Sequence, residues 1–347
     1  MVRYRGFIAA TVLCVLSVLA VTGCSEKPAV ISAWPTANRE RVVPQPLAPL
    51  IWPLTGLPAT DRAAIAKRPL SVKIENSPQA RPQTGLNSAD VVYETVTEGG
   101  ITRFNCIFQS TAPKTVGPVR SARLSDLWVV AQYNGLFFYS GASNSVTRAI
   151  KKTKLTDLSQ DTGVSAPFSR SSQRSAPHNL FLDTKKAYAE AIKRGKPVSV
   201  QVPRLQYDPK SVESSNTIAS VRIPFSTANT VDWTYDSARK VYVRQNNGRP
   251  HADAATGKQV AAKNVVVMWA KYTPASHDKV GSTTYRVELG GSGRVSVFRN
   301  GLRYDGTWSA TRNTPPRFKD AQGKAIKLAP GNTWFQVVAL NTNISMK

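Results

Sequence analysis

The stretch VVYETVTEGGITRFNCIFQ, Val91 to Gln109, carries the most information about the fold. β-branched and aromatic residues alternate with polar ones on both sides of Gly99-Gly100. Paired glycines supply the positive φ values of a tight turn, so the pattern predicts two antiparallel strands joined by a two-residue loop. In that register Glu98 faces Ile101, Val96 faces Arg103, and Glu94 faces Asn105. Successive side chains point to opposite faces, which puts Tyr93, Phe104, Cys106 and Phe108 on a core face. Glu94, Glu98, Arg103 and Asn105 take the other. Cys106, between two phenylalanines, reads as a packing residue rather than a nucleophile. Arg103 lies diagonally between Glu94 and Glu98, within reach of either.

Two glutamates on one strand face raise the question of a glycosidase. Four residues at about 3.3 Å each separate their Cα atoms by roughly 13 Å. Glycosidase carboxyl pairs lie about 5 to 9.5 Å apart, so the dyad is a weak one. Downstream, Gly117-Pro-Val-Arg-Ser-Ala-Arg123 leads into a helical pattern over Ser125 to Tyr133. Arg120 and Arg123 thus sit at the end of the helix dipole that favours acids. Either an external phosphate or carboxylate completes a site there with the backbone N–H groups, or Glu94 and Glu98 fill that role and the arginines are structural. Two further clusters, His178-Asn179 and His251 with Asp253, place a histidine beside a second hydrogen-bonding side chain. A lone loop histidine is more often structural than catalytic. With three histidines and one thiol beyond residue 24, no spacing resembles a zinc site, and no metal or cofactor is expected.

Around these motifs, strand-like runs at Leu70 to Ile74 and Leu136 to Tyr139 mix with helical patterns, one of them opening at Asp183 and stopping at Gly195. Residues 51–205 therefore read as an α+β domain. From 217 to 347 short strand runs alternate with Asn-Gly, Gly-Gly and Pro-Gly pairs. A smaller β-rich domain, sandwich or barrel, is expected there, making the whole chain α+β.

The N-terminus carries an address. Arg3 and Arg5 precede an apolar run from Phe7 to Val21 and the small-residue segment Val21-Thr-Gly-Cys24. That order predicts a cleaved secretion signal, residues 1–23. A cysteine placed directly after it resembles a lipobox, so Cys24 is the expected acylation site, with palmitate-type chains. Residues 24–50 hold Pro28, Pro35, Pro44, Pro46 and Pro49, and read as a semi-extended tether with a reach of roughly 80 Å at about 3.1 Å per residue. The expected location is the extracytoplasmic face of the cell membrane, held by lipid.

Charge narrows the partners. The chain has 46 basic and 21 acidic residues, a formal charge of +25. The excess is spread evenly, with 23 basic against 12 acidic residues over 25–200 and 21 against 9 over 201–347. Even spreading and export both argue against nucleic acid. Anionic envelope material, such as acidic headgroups or phosphate-bearing polymers, is the better physical match.

Taken in order, Pro53-Leu-Thr-Gly-Leu-Pro58, Ala89-Asp-Val-Val-Tyr-Glu94, Glu98-Gly-Gly-Ile-Thr-Arg103, Gly117 to Arg123, Ala176-Pro-His-Asn179, Pro250-His-Ala-Asp253, Asn264-Val-Val-Val267 and Pro330-Gly-Asn-Thr-Trp334 resemble the YerB-like bacterial lipoproteins. The resemblance implies paired N- and C-terminal domains of unknown function, and brings no assigned reaction. Glu94, Glu98, Arg103, Arg120, Arg123, His178 and His251 become candidates for a shared site by that resemblance. Two functions fit these residues. The first is a noncatalytic envelope module that binds an anionic polymer or a cell-wall synthesis protein through the arginines. The second is a wall hydrolase or transferase using Glu94 or Glu98 with His178.

Overall fold

A computed structural model describes residues 49–210, 216–277 and 283–347. The expected signal, the Cys24 lipidation site and nearly all of the tether lie outside the described residues. Ala48–Lys347 forms one compact unit.

The central element is Val91–Val96, which pairs antiparallel with Thr102–Phe108 on one side and parallel with Thr333–Ala339 on the other. Parallel strands are stable when both faces are covered, and their sequences then lose polar alternation. Asn264-Val-Val-Val-Met-Trp-Ala270 is such a run, buried at every residue and parallel to Thr333–Ala339. These pairings build a ten-stranded sheet. Its order is 314–319, 302–311, 291–299, 264–270, 333–339, 91–96, 102–108, 70–75, 136–138 and 156–157.

Strand residues far outnumber helical ones. The α-helices are short, Arg62–Ala66, Asp126–Gln132, Asn144–Lys151 and Thr184–Lys193, and among the described residues none is long and apolar enough to cross a membrane. The separate sandwich or barrel expected over 217–347 does not form. Strands 264–270 and 333–339 join the sheet of the first segment, because a strand apolar on both faces needs a central position. The second sheet, built on Ser220–Ser226, Asn229–Asp236 and Val241–Asn246, packs against one face of the first.

Each face of the ten-stranded sheet has its own core. Val92, Phe104, Cys106, Val265 and Trp334 meet Val221, Trp233 and Tyr242 of the second sheet. Val91, Tyr93, Ile107, Val266 and Phe335 meet Val129 and Tyr133 of the helix Asp126–Gln132 and its end. Cys106 is a free, fully buried thiol, and burial pushes its pKa up.

The hairpin differs from the sequence reading by one residue. Glu94 lies opposite Phe104, and Tyr93 opposite Asn105. The cause is the turn, in which Glu98–Gly100 forms a short 3₁₀ turn with positive φ at both glycines, closed by Thr97 N–H donating to Ile101 O at 2.8 Å. Five residues rather than two connect the paired strands. A one-residue slip exchanges faces along a whole strand. Glu94 therefore joins Phe104 and Cys106, while Tyr93 joins Arg103 and Asn105.

Candidate functional site

The slip moves Glu94 from a solvent face into the core between the sheets, where its side chain is fully buried. A carboxylate there needs a partner. Arg244, equally buried, donates from Nη2 to both Glu94 oxygens at 2.8 and 3.0 Å, and Thr102 donates to Oε1 at 2.7 Å. Arg244 also donates from Nη1 to His251 Nδ1. A guanidinium can only donate, so this imidazole carries its proton on Nε2 and donates from there to Gln83 Oε1 at 2.6 Å. Burial, then the charges of Arg244 and Arg81, hold the His251 pKa well below its usual value. Asp253 accepts from Gly85 and Asn87 N–H groups, both at 2.8 Å, tying the 250–257 loop to the first segment. His251 and Asp253 thus serve a closed structural network rather than an open site.

The opposite face of the same strands collects the other candidates. Glu75 and Arg103 face each other across neighbouring strands, with Thr95 next in the row. Glu75 accepts from Ser77 Oγ at 2.9 Å, lies 3.0 Å from His178 Nδ1 and 3.3 Å from Arg120 Nε. The last contact is an ion pair without hydrogen-bond alignment, since Arg120 Nε has no hydrogen-bond acceptor. In neutral His178 the proton sits on Nδ1, facing the carboxylate, and Nε2 is left as an acceptor. Glu98 accepts from Arg123 Nε at 2.8 Å and from Thr284 Oγ1 at 2.9 Å, and Arg123 holds its carboxyl below the usual range despite burial.

Arg103 is the exception in this cluster. It is 6% exposed, yet its one hydrogen bond is from Nη1 to Ser121 O at 3.4 Å, and its Nε has no acceptor. No carboxylate lies within ion-pair distance of it among the described residues. Arg123 Nη1 reaches the same Ser121 carbonyl at 3.3 Å, so the two guanidiniums are neighbours. Burial first, then Arg123, pull the Arg103 pKa down to about 9, which still leaves it charged near neutrality.

The sequence placed Arg103 between Glu94 and Glu98, and the structure gives it neither. Arg120 and Arg123 do precede a helix, but Asp126 answers the dipole from within the chain, accepting from Arg123 N–H at 2.6 Å and Lys73 Nζ at 2.8 Å. Glu98, Arg103, Arg120, Arg123 and His178 share one corner, and Glu94 and His251 lie on the other side of the sheet. Glu94 and His178 share no cleft. Asn179 Nδ2 donates to Ser171 O and Arg174 O, which shapes the His178 loop. Glu75 and Arg244 were not singled out from the sequence. Lys73 and Glu75 do alternate with Val72 and Ile74, a period-two signal for a polar face, whereas nothing local marks Arg244 as the partner of a residue 150 positions away.

The family comparisons agree with this architecture. The N-terminal domain of the family described as "Protein of unknown function (DUF3048)" matches residues 54–197, and its C-terminal domain matches 221–335. The chain belongs to this family. It is 30% identical to "Putative lipoprotein YerB" of Bacillus subtilis (strain 168) over 306 residues, 87% of this chain and 90% of that protein. The crystal structure of YerB from Bacillus subtilis matches with a TM-score of 0.76, covering 85% of this chain and 99% of that one at 30% identity.

Two expected outcomes test the buried network. Glu94→Leu strands the Arg244 charge and should cost about 3–5 kcal/mol, whereas adding Arg244→Met should recover part of that loss. Urea unfolding of the two variants checks it, and a double variant no better than the single would show that the pair is not coupled. For pH, a histidine held neutral when folded takes up its proton only on unfolding, so stability falls as pH drops below the ordinary value near 6.5. The slope is about 1.4 kcal/mol per pH unit for one proton. Asp90, raised to about 6 by burial, acts with the opposite sign below that pH. Thermal unfolding should therefore weaken most steeply just below pH 6.5 and level off under pH 6. His251→Gln should remove the first phase.

Proposed function

We propose that the chain is a lipid-anchored, noncatalytic envelope module that binds an anionic wall polymer through Arg103, Arg120 and Arg123. The observation that carries the reading is Arg103, a buried guanidinium with one long hydrogen bond and no carboxylate partner. Burying such a charge is costly unless an anion meets it. Arg120 and Arg123 stand beside it with side chains 23% and 14% exposed, recessed but reachable. With Arg3 and Arg5 gone in the cleaved signal, an excess of 44 basic over 21 acidic residues, +23, would hold a polyanion near the corner until the specific contacts form.

The address supports the same reading. A signal followed by Cys24 would place the body outside the membrane, and the related Bacillus subtilis protein carries lipoprotein in its name. A hydrolase using Glu94 or Glu98 with His178 gains little from this geometry: Glu94 lies on the opposite face of the sheet, and Glu98, though in the same corner, is tied to Arg123 and Thr284 while His178 is held by Glu75.

Retention of the full chain on isolated cell-wall polymer at moderate salt measures the proposal. Arg120→Ala with Arg123→Ala should reduce retention about tenfold or more, given ~1.5–3 kcal/mol for a hydrogen bond to a charged group. Retention equal to that of the unaltered chain would remove the corner from the function. Release of soluble wall fragments by the unaltered chain would instead point to catalysis.

A further inference from the structure

The charge and donor geometry at the arginine corner define the ligand more narrowly than "anionic", an assignment that rests on the polymer-binding role proposed for the corner. Four cations meet there, Lys73, Arg103, Arg120 and Arg123, against three carboxylates, Glu75, Glu98 and Asp126. One positive charge is left over. The carboxylates are each engaged: Asp126 by Lys73, Asn105 and the Arg123 N–H, Glu75 by Ser77, His178 and Arg120, and Glu98 by Arg123 and Thr284. The cation without an ion pair of its own among the described residues is Arg103, with Glu98 and Glu75 acting on it only at longer range, so a group carrying a single negative charge completes the count.

Shape separates the candidate monoanions. A carboxylate is planar and is satisfied by one guanidinium fork. At this corner the donors come from two separate elements: Arg103 from the strand Thr102–Phe108, and Arg120 and Arg123 from the segment that follows Gly117. A tetrahedral group with two free oxygens suits donors so spread better than a planar one. Beside them His178, oriented through Nδ1 by Glu75, turns Nε2 outward with no hydrogen-bond partner among the described residues. In the neutral ring Nε2 accepts, so it suits a hydroxyl rather than a second anion.

We propose that the corner takes the phosphodiester of a polyol phosphate chain, with Arg103 and Arg120 on the phosphate oxygens and His178 accepting from an adjacent hydroxyl. A bilayer headgroup offers the same diester, but the cation that needs it most is only 6% exposed. A flat membrane surface meets exposed side chains first, whereas a slender chain could reach cations that are this little exposed.

Titration calorimetry on the full chain tests this with glycerophosphoglycerol as the diester probe, glucuronate as the planar monoanion, and phosphatidylglycerol vesicles as the membrane arm. The diester is expected to bind at least tenfold more tightly than glucuronate. Arg103→Gln and Arg120→Gln should each weaken it about tenfold. His178→Ala should weaken the diester while leaving inorganic phosphate unchanged. Without ligand, Arg103→Gln should melt no lower than the unaltered chain, because it removes a charge with no partner. Should that variant fail to fold, the partly exposed Arg120→Gln decides. Equal binding of diester and glucuronate overturns the phosphate assignment, and binding confined to vesicles overturns the polymer in favour of a membrane. Absence of diester binding while wall retention still depends on Arg120 and Arg123 sinks this inference alone. Loss of both sinks the binding reading with it.

Discussion

The parallel pairing of Val91–Val96 with Thr333–Ala339 sets the terms for everything around it. A strand with parallel and antiparallel neighbours at the middle of a ten-stranded sheet has no solvent face, so every polar side chain on it must find a partner inside the protein. The pairing also joins the first matched segment to the second in one sheet. Glu94 is the first consequence. Its oxygens are taken by Arg244 from the second sheet and by Thr102 from the neighbouring strand, and Arg244 in turn fixes the His251 tautomer.

The two faces of these strands treat charge differently. Between the sheets Glu94 and Arg244 supply both partners of an ion pair, and the aromatic rings of Phe104, Trp233 and Trp334 lie within 6 Å of the Arg244 guanidinium. On the other face Arg103 has a single weak acceptor. A buried ion pair can be near neutral for stability, because Coulomb attraction offsets desolvation. A buried ion without a pair has no such offset. The first arrangement ties the two sheets together, and the second leaves Arg103 with only the Ser121 carbonyl it shares with Arg123.

Much of the fold could be read from local pattern. The strands of the 91–109 hairpin, the run expected over Lys263 to Trp269 and found at Asn264–Ala270, and the helix capped by Asp183 all declare themselves by period or by capping residues. The hairpin register could not be read the same way. Gly99-Gly100 fits a two-residue turn equally well, and the longer loop is chosen by a 3₁₀ turn beginning at Glu98, whose carboxylate is held by Arg123 and Thr284. The site was legible in part for the same reason. Arg103, Arg120, Arg123, Glu98 and His178 do come together, whereas Glu94 was misplaced by the slip. Glu75 and Arg244 escaped notice because their meaning lies in partners about 100 to 150 residues away.

In the proposed binding role, Arg103 would let this corner be both stable and receptive. Lys73 and Asp126 form a fully buried pair beneath it, Asn105 donates to the same carboxylate, and Ser71 donates to Asn105. With Asp126 locked in this way and Glu75 and Glu98 already engaged, the Arg103 guanidinium has no native acid left to pair with among the described residues. Ordering of donors before the ligand arrives lowers the entropy lost on binding, so modest contacts can give specific recognition. A corner with one more native carboxylate would be more stable and would have no reason to take up a phosphate. The missing partner of Arg103 is therefore the feature on which the proposed receptor role of this sheet face rests.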